Sequence, residues 1–437
     1  MNVETIDTAA LGDRSYLVHD GTTALVVDPQ RDIDRVEELA GRLGVRITHV
    51  AETHVHNDYV TGGLALARRH GAEYLVAAAE DVSYQRRAVR PGDRLAVGSM
   101  TVTAVATPGH TEHHLAYVVT HDGRQAVFSG GSLLFGSVGR TDLVAPDKTV
   151  PLTHAQYRSA RDLAGQVDPA ATLHPTHGFG SFCSSGPATG AGASTVGEQR
   201  SANHALTDHD EQHFVNTLIA NLTAYPSYYA HMAPLNRSGP GASDLTVPEP
   251  LRPDAVRELL DAGGWVVDLR SRVAFAASHV RGAVGIEYGD SFTTYLGWTL
   301  PWGEPVTLVG DEGAVRAAIR DLSRIGVDRP GVGRVDGLPT TSYRRAGWAD
   351  LAALPDRPVL LDVRRVDEHR AGHLAGSTGI PLHDLVRRIG EVPPGEVWVH
   401  CASGYRAGIA ASLLHRAGRE VVHVDDEWAR AADHGLS

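Results

Sequence analysis

Cysteine is nearly absent from this chain of 437 residues, which contains only Cys183 and Cys401. Two isolated thiols build no disulfide framework, and in a large acidic chain they fit a reducing cytoplasm. A basic surplus is missing as well. The formal charge is −12, which argues against a nucleic-acid partner, because holding a phosphate backbone needs a basic face. No apolar run reaches the ~18 residues of a membrane span. The first residues, Met1-Asn2-Val3-Glu4, are neither basic nor followed by an apolar stretch, so neither a signal peptide nor a membrane anchor is expected. What remains is an ordinary soluble composition, 42% hydrophobic and 21% charged. Its length exceeds what one core sustains, so two or three domains are expected.

Histidine is plentiful, with 24 residues. Thr53-His54-Val55-His56-Asn57-Asp58-Tyr59 lies between an apolar run, Val45 to Ala51, and the pair Gly62-Gly63. Two histidines two apart after a strand, with a carboxylate two further on, put three metal-capable side chains on one loop. Chance scatter of histidines on a solvated loop is the plainer reading. Thr107-Pro108-Gly109-His110-Thr111 follows a second strand-like run, Met100 to Ala106, and His174-Pro175-Thr176-His177-Gly178 follows a third. Three His-bearing loops, each at a strand end, are the layout of a site assembled over a sheet edge.

In this order, with Phe128-Ser129-Gly130-Gly131-Ser132-Leu133 between the second and third loops, the motifs resemble the metallo-β-lactamase superfamily over about residues 1 to 233. Val138-Gly139-Arg140-Thr141-Asp142-Leu143 narrows the resemblance to its persulfide dioxygenase branch. That implies an αββα sandwich with a mononuclear non-haem iron at His54 and His110, with His177 and Asp58 outside them. The chain departs from the resemblance twice. Iron-holding members have an aspartate where this chain has Gly131, and dinuclear zinc hydrolases have a histidine where it has Tyr59. A two-metal thioesterase is therefore disfavoured. His54, His56 and His110 could still form a three-nitrogen site open to water. Iron, zinc and a metal-free domain all stay open, and metal binding is expected to be weakened or altered.

The remaining segments of this first part read more simply. Ser15 to Val18 and Ala24 to Asp28 form a hairpin around Asp20-Gly21. Ile33 to Leu43 has helical spacing ended by Gly44, and a second helix carries Leu64, Leu66 and Ala67. Residues 184 to 204, rich in Ser, Gly, Ala and Thr, read as a loop over the site. Cys183, six residues after His177, either handles sulfur there or packs as a small apolar residue. His209 to Leu222 has helical periodicity. The aromatics Tyr225, Tyr228 and Tyr229 either wall a substrate entrance or pack. Asn236 to Asp254 has a linker composition.

Beyond the linker a motif repeats. Val266-Val267-Asp268-Leu269-Arg270, followed by His279-Val280-Arg281-Gly282, matches Leu360-Leu361-Asp362-Val363-Arg364, followed by His373-Leu374-Ala375-Gly376. Such self-similarity indicates duplicated modules, and each Asp-x-Arg is read as tying the strand end to the loop that carries the histidine. In the second copy an apolar strand delivers Cys401 into Cys401-Ala402-Ser403-Gly404-Tyr405-Arg406, with a helix directly after it. Amides at the helix start and the Arg406 guanidinium favour a thiolate there. A buried inert cysteine is the alternative. The Cys-x-x-Gly-x-Arg loop resembles that of rhodaneses, across about residues 250 to 437. In the first copy Gly310 stands where the cysteine would be.

The domains expected are therefore a metallo-β-lactamase sandwich over 1–235, a rhodanese-like doubly wound module without its nucleophile over 250–348, and a rhodanese over 349–437. The resemblance implies sulfide detoxification, in which a thiol persulfide is oxidised to sulfite and Cys401, as a persulfide, exchanges sulfur between sulfite and thiosulfate. Arg406 and the loop amides around Gly404 would hold the anion. Small thiol persulfides, sulfite and thiosulfate are the partners implied, in a homo-oligomer. The alternatives are a sulfurtransferase on a non-catalytic scaffold and a zinc thioester hydrolase fused to a rhodanese.

Overall fold

The computed structural model describes residues 1–186 and 192–436. They divide into two compact units, Met1–Ser243 with Ser323–Gly326, and Asp244–Leu322 with Val327–Ser437.

In the first unit β1 (Asn2–Thr8), β2 (Asp13–His19), β3 (Thr23–Val27), β4 (Arg46–Ala51), β5 (Glu73–Ala77) and β6 (Arg87–Val89) form one sheet in chain order. The hairpin around Gly21 pairs β2 with β3 antiparallel, whereas β3 to β6 run parallel. The second sheet holds β7 (Arg94–Val97), β8 (Met100–Ala106), β9 (Leu115–His121), β10 (Arg124–Gly130), β11 (Thr172–Pro175) and β12 (Ser194–Thr195), in the order β12-β11-β10-β9-β8-β7. Alternate side chains of both sheets, among them Tyr16, Leu25, Val102, Tyr117 and Phe128, share one core. The helices Asp34–Leu43 and Gly63–His70 pack on the outside of the first sheet, and the helix Thr149–Gln166 on the outside of the second. The result is the four-layered αββα sandwich. Gly44 ends the first helix at φ 66, where a residue without Cβ carries no strain.

One expectation needs correction. Within 184 to 204, read as loop, Ser194–Thr195 is a strand and Val196–Ala202 a helix. Thr195 and Glu198 form a reciprocal capping box, and this signal outweighs the small-residue composition. Residues 187–191 of that stretch lie outside the described residues.

The second unit has two parallel sheets. β13 (Trp265–Asp268), β15 (Val284–Gly285), β16 (Val306–Val309) and β17 (Gly331–Val332) are ordered β15-β13-β16-β17, beside a short pair of β14 (His279–Val280) and β18 (Thr340–Thr341). β19 (Arg344–Ala346), β20 (Val359–Asp362), β21 (Thr378–Gly379), β22 (Val397–His400) and β23 (Val421–Val424) are ordered β19-β23-β22-β20-β21. β19, placed by the repeat in the first module, pairs with β23 of the second. Cys401 leaves the carboxyl end of β22, where the chain order reverses between β20 and β22. That position is the usual ligand crevice of an open parallel sheet. Among the described residues no helix is long and apolar enough to cross a membrane.

Candidate metal centre and sulfur-carrying loop

The loops after β3, β4, β8, β10 and β11 meet at one edge of the sandwich and bury five imidazoles together, those of His54, His56, His110, His114 and His177. Asp28, at the end of β3, organises the first of them. It has a positive φ of 50, rare for a residue with a side chain. Its carboxylate accepts the Thr53 N–H at 2.7 Å and the Thr53 and Thr176 hydroxyls.

His54, His110 and His177 bring ligand-capable atoms within 4.8 Å of one another. His110 donates from Nδ1 to the Arg140 carbonyl at 2.7 Å, so its Nε2 carries a lone pair, and that atom is buried without a partner. His54 Nε2 lies 3.4 Å from His177 Nε2. His177 Nδ1 faces Asp13 at 2.8 Å and Asp58 at 3.1 Å. Carboxylates behind an imidazole raise its basicity and fix its tautomer. Burial, then the surrounding imidazoles, holds His54 well below its ordinary pKa, and burial with His177 brings His110 to about 3. Burial also opposes a charge on His177, but Asp58 and Asp13 outweigh it and push its pKa well up. A cation bound here would displace the His177 proton as it enters.

His56, expected beside His54 and His110, is turned to the other side. Its Nε2 is 3.2 Å from Asp28, 3.3 Å from Glu52 and 3.0 Å from the Tyr59 hydroxyl. Against the cost of burial, Asp28 and Glu52 raise it to about 9. Its unpartnered Nδ1 joins Asp58 and His177 in a second donor group. His177, expected outside the ligand set, is thus common to both groups.

The space beside Gly131 is filled. A Cβ there would lie 2.6 Å from His110 Cγ, and one on Gly139 would lie 2.7 Å from His110 Nδ1. The ring is sandwiched between two glycines, and His56 Nε2 turns to Asp28 and Glu52. A site of two histidines and the residue at 131 therefore does not fit iron ligation. The donor set that fits a cation is the three imidazoles of His54, His110 and His177.

Sequence reasoning missed His114, whose ring stacks on His54 with centroids 4.8 Å apart and whose Nε2 accepts the Gly131 N–H at 3.0 Å. Its signal is a histidine four residues after His110. Cys183 is fully buried, and burial, then Asp58 and Asp13, push its thiol well up, the reverse of an activated nucleophile. Val55, Asn57 and Thr111 line a cavity beside the histidines, with Tyr225, Tyr229 and Arg237 on other sides.

In the second unit both Asp-x-Arg pairs have the same geometry. Arg270 clasps Asp268 at 2.6 to 3.1 Å and reaches the Ser278 carbonyl, one residue before His279. Arg364 clasps Asp362 and reaches Gly372, one before His373. These charges are structural ties from strand end to loop.

Cys401 is 1% exposed. Its Sγ accepts the Ala407 N–H at 3.3 Å, near the start of the helix Tyr405–Arg416. The loop above it reaches solvent through Ala402, Ser403, Tyr405 and Arg406. Gly404 takes the left-handed conformation at φ 85 that turns the loop into the helix. Arg406, expected to hold the incoming anion, gives its fork to Glu368 at 2.6 and 2.8 Å. In the first copy the helix Glu312–Arg324 begins two residues after Gly310, so no amide cradle of this length exists there.

Residues 11–177 match the Metallo-beta-lactamase superfamily, and residues 348–431 match the Rhodanese-like domain. The chain belongs to the metallo-β-lactamase superfamily, with a rhodanese-like domain at its carboxyl end. It is 31% identical over 220 residues to a probable metallo-hydrolase of Burkholderia pseudomallei, covering 41% of this chain and 73% of that protein. To the mitochondrial persulfide dioxygenase of Homo sapiens it is 27% identical, covering 46% of this chain and 71% of the other. The structure of a metallo-beta-lactamase from Staphylococcus aureus subsp. aureus COL superposes with a TM-score of 0.70 at 26% identity, over 76% of this chain and 98% of that one. The chain spans about half the length of the hydroxyacylglutathione hydrolases it matches, 49% for that of Rhizobium johnstonii at 36% identity.

Proposed function

We propose that this chain is a sulfur-transfer enzyme that carries sulfane sulfur on Cys401. The observation behind this reading is the cradle at Cys401, a sulfur facing an N–H of a twelve-residue helix at the carboxyl end of a central strand. In the transfer, the Cys401 thiolate attacks the outer sulfur of thiosulfate. The S–S bond breaks, its electron pair leaves with sulfite, and a cysteine persulfide remains. A second nucleophile then takes the terminal sulfur and returns the thiolate. With cyanide the product is thiocyanate, and with sulfite it is thiosulfate. The loop amides receive the anion, since Arg406 is engaged by Glu368. Both cysteines are free, in keeping with a reducing cytoplasm. Thiosulfate to cyanide transfer tests the reading: Cys401→Ser should abolish it, and retained activity would refute the assignment.

For the amino-terminal domain the same proposal favours thioester hydrolysis over persulfide oxidation. Its support is the three-imidazole donor set, the absence of a carboxylate at 131 and the likeness to hydroxyacylglutathione hydrolases. A divalent cation held at these nitrogens supplies Lewis acidity. The chain's own contribution is to fix the His110 tautomer through the Arg140 carbonyl and to keep Asp13 and Asp58 behind His177. Thioester hydrolysis and oxygen uptake with a glutathione persulfide separate the two chemistries. Oxygen uptake by this domain would overturn the hydrolytic reading.

A further inference from the structure

The module without a cysteine sends a side chain to the residue packed beneath the cysteine loop of the other. Arg272, at the start of the helix Arg272–Ala277, donates from Nε to Asp425 Oδ1 at 2.8 Å and from a terminal nitrogen to Glu287 at 2.8 Å. Asp425 follows β23 and lies directly beneath Gly404. A Cβ on Gly404 would collide with Asp425 Oδ1 and stand 3.0 Å from its Cα. The second carboxylate oxygen is held by Arg345 at 3.0 Å.

Three further contacts secure the same loop. His423 Nε2 donates to the Gly404 carbonyl at 2.8 Å. The Tyr405 hydroxyl donates to the Glu287 carbonyl at 2.7 Å. A Cβ on Gly408 would lie 3.1 Å from Arg272 Cβ, so the helix after the loop approaches Arg272 closely because that position lacks a side chain.

We infer that Arg272 is a positioning residue for Cys401, acting through Asp425 and Gly404, and that the cysteine-less module is kept as the rigid support of the sulfur-carrying loop. The physical reason is twofold. The amide cradle depends on the left-handed turn at Gly404, and the carboxylate packed under that turn sets its height. Arg272 and Arg345 fix that carboxylate from either side, one guanidinium on each oxygen, so loss of either the guanidinium or the carboxylate frees the turn.

This inference rests on the reading of Cys401 as the sulfur carrier. The test uses the full chain with thiosulfate and cyanide as substrates, and with iodoacetamide alkylation of Cys401 as a second readout against Cys401→Ser as blank. In Arg272→Ala, KM for thiosulfate should rise about tenfold, with a smaller fall in kcat and a slower alkylation. A displacement of about 1 Å at a reacting group costs up to ~100-fold. Arg272→Lys should recover most of the KM. Asp425→Ala should resemble Arg272→Ala, and the double variant should lose little more than either single one. If Arg272→Ala does not fold, the Lys and Asp425 variants carry the same comparison. Wild-type kinetics and alkylation in Arg272→Ala, or losses in the double variant that simply add, would overturn the inference. Absence of transfer in the wild type would instead overturn the reading of Cys401.

Discussion

His110 lies against Gly131 so closely that a Cβ there would stand 2.6 Å from its Cγ. Gly131 leaves room for that ring because it has no side chain.

Gly131→Asp should therefore not restore an iron site in a single step. The new side chain meets a ring that is also confined by Gly139, and overpacking of this kind costs ~1 to 3 kcal/mol. The expected result is a lower urea midpoint with no gain in iron by elemental analysis of the purified protein. Stoichiometric iron at undiminished stability would contradict it.

Zinc added to metal-depleted protein should raise the melting temperature. A ligand at ~100 times its Kd adds about 2.7 kcal/mol. His110→Ala or His177→Ala should remove the increase, because each contributes to the three-imidazole group. His56→Ala should retain most of it, since His56 Nε2 faces Asp28 and Glu52. A larger loss for His56→Ala than for His177→Ala would reverse the ligand assignment.

The two copies of the Asp-x-Arg tie should differ in energy although they match in geometry. Arg364 is 3% exposed and Asp362 fully buried, whereas Arg270 is 45% exposed. Arg364→Ala leaves a buried carboxylate uncompensated and should cost ~3 to 5 kcal/mol. Arg270→Ala should cost less than this, because the guanidinium it removes is half in solvent and already screened, although Asp268 is buried. Urea unfolding of both variants measures the difference, and equal costs would refute the burial argument.

Acid should remove a contribution from Glu368. Burial raises its carboxyl, but the hydrogen bonds and charge of Arg406 outweigh this and bring it from 4.5 to about 2. A depressed carboxyl pKa stabilises the fold above the unfolded value, and the gain is lost as pH falls through the folded one. The stability difference between wild type and Glu368→Gln should be constant above about pH 5 and shrink toward pH 2. A difference that does not change over that window would show that the pair makes no net contribution.

Much of this was legible in the residues themselves. The hairpin at Gly21, the helix ended by Gly44 and the strand Met100–Ala106 follow from local spacing and turn chemistry, which a chain carries wherever it folds. The repeated Asp-x-Arg was legible for the same reason, since its partners are two residues apart. The capping box at Thr195 was present in the sequence but hidden by its small-residue surroundings.

Sequence alone determined which chemistry-bearing residues the chain owns: imidazoles on three strand-end loops, no carboxylate at 131, one cysteine before a helix and none at 310. Only the tertiary structure decided their partners. His177 rather than His56 converges on His54 and His110, Arg406 turns to Glu368, and Arg272 reaches Asp425 from 153 residues away. A ring nitrogen's direction depends on which carboxylate or carbonyl packs behind it, and those groups arrive from strands distant in the chain. Spacing along the sequence carries no record of that choice.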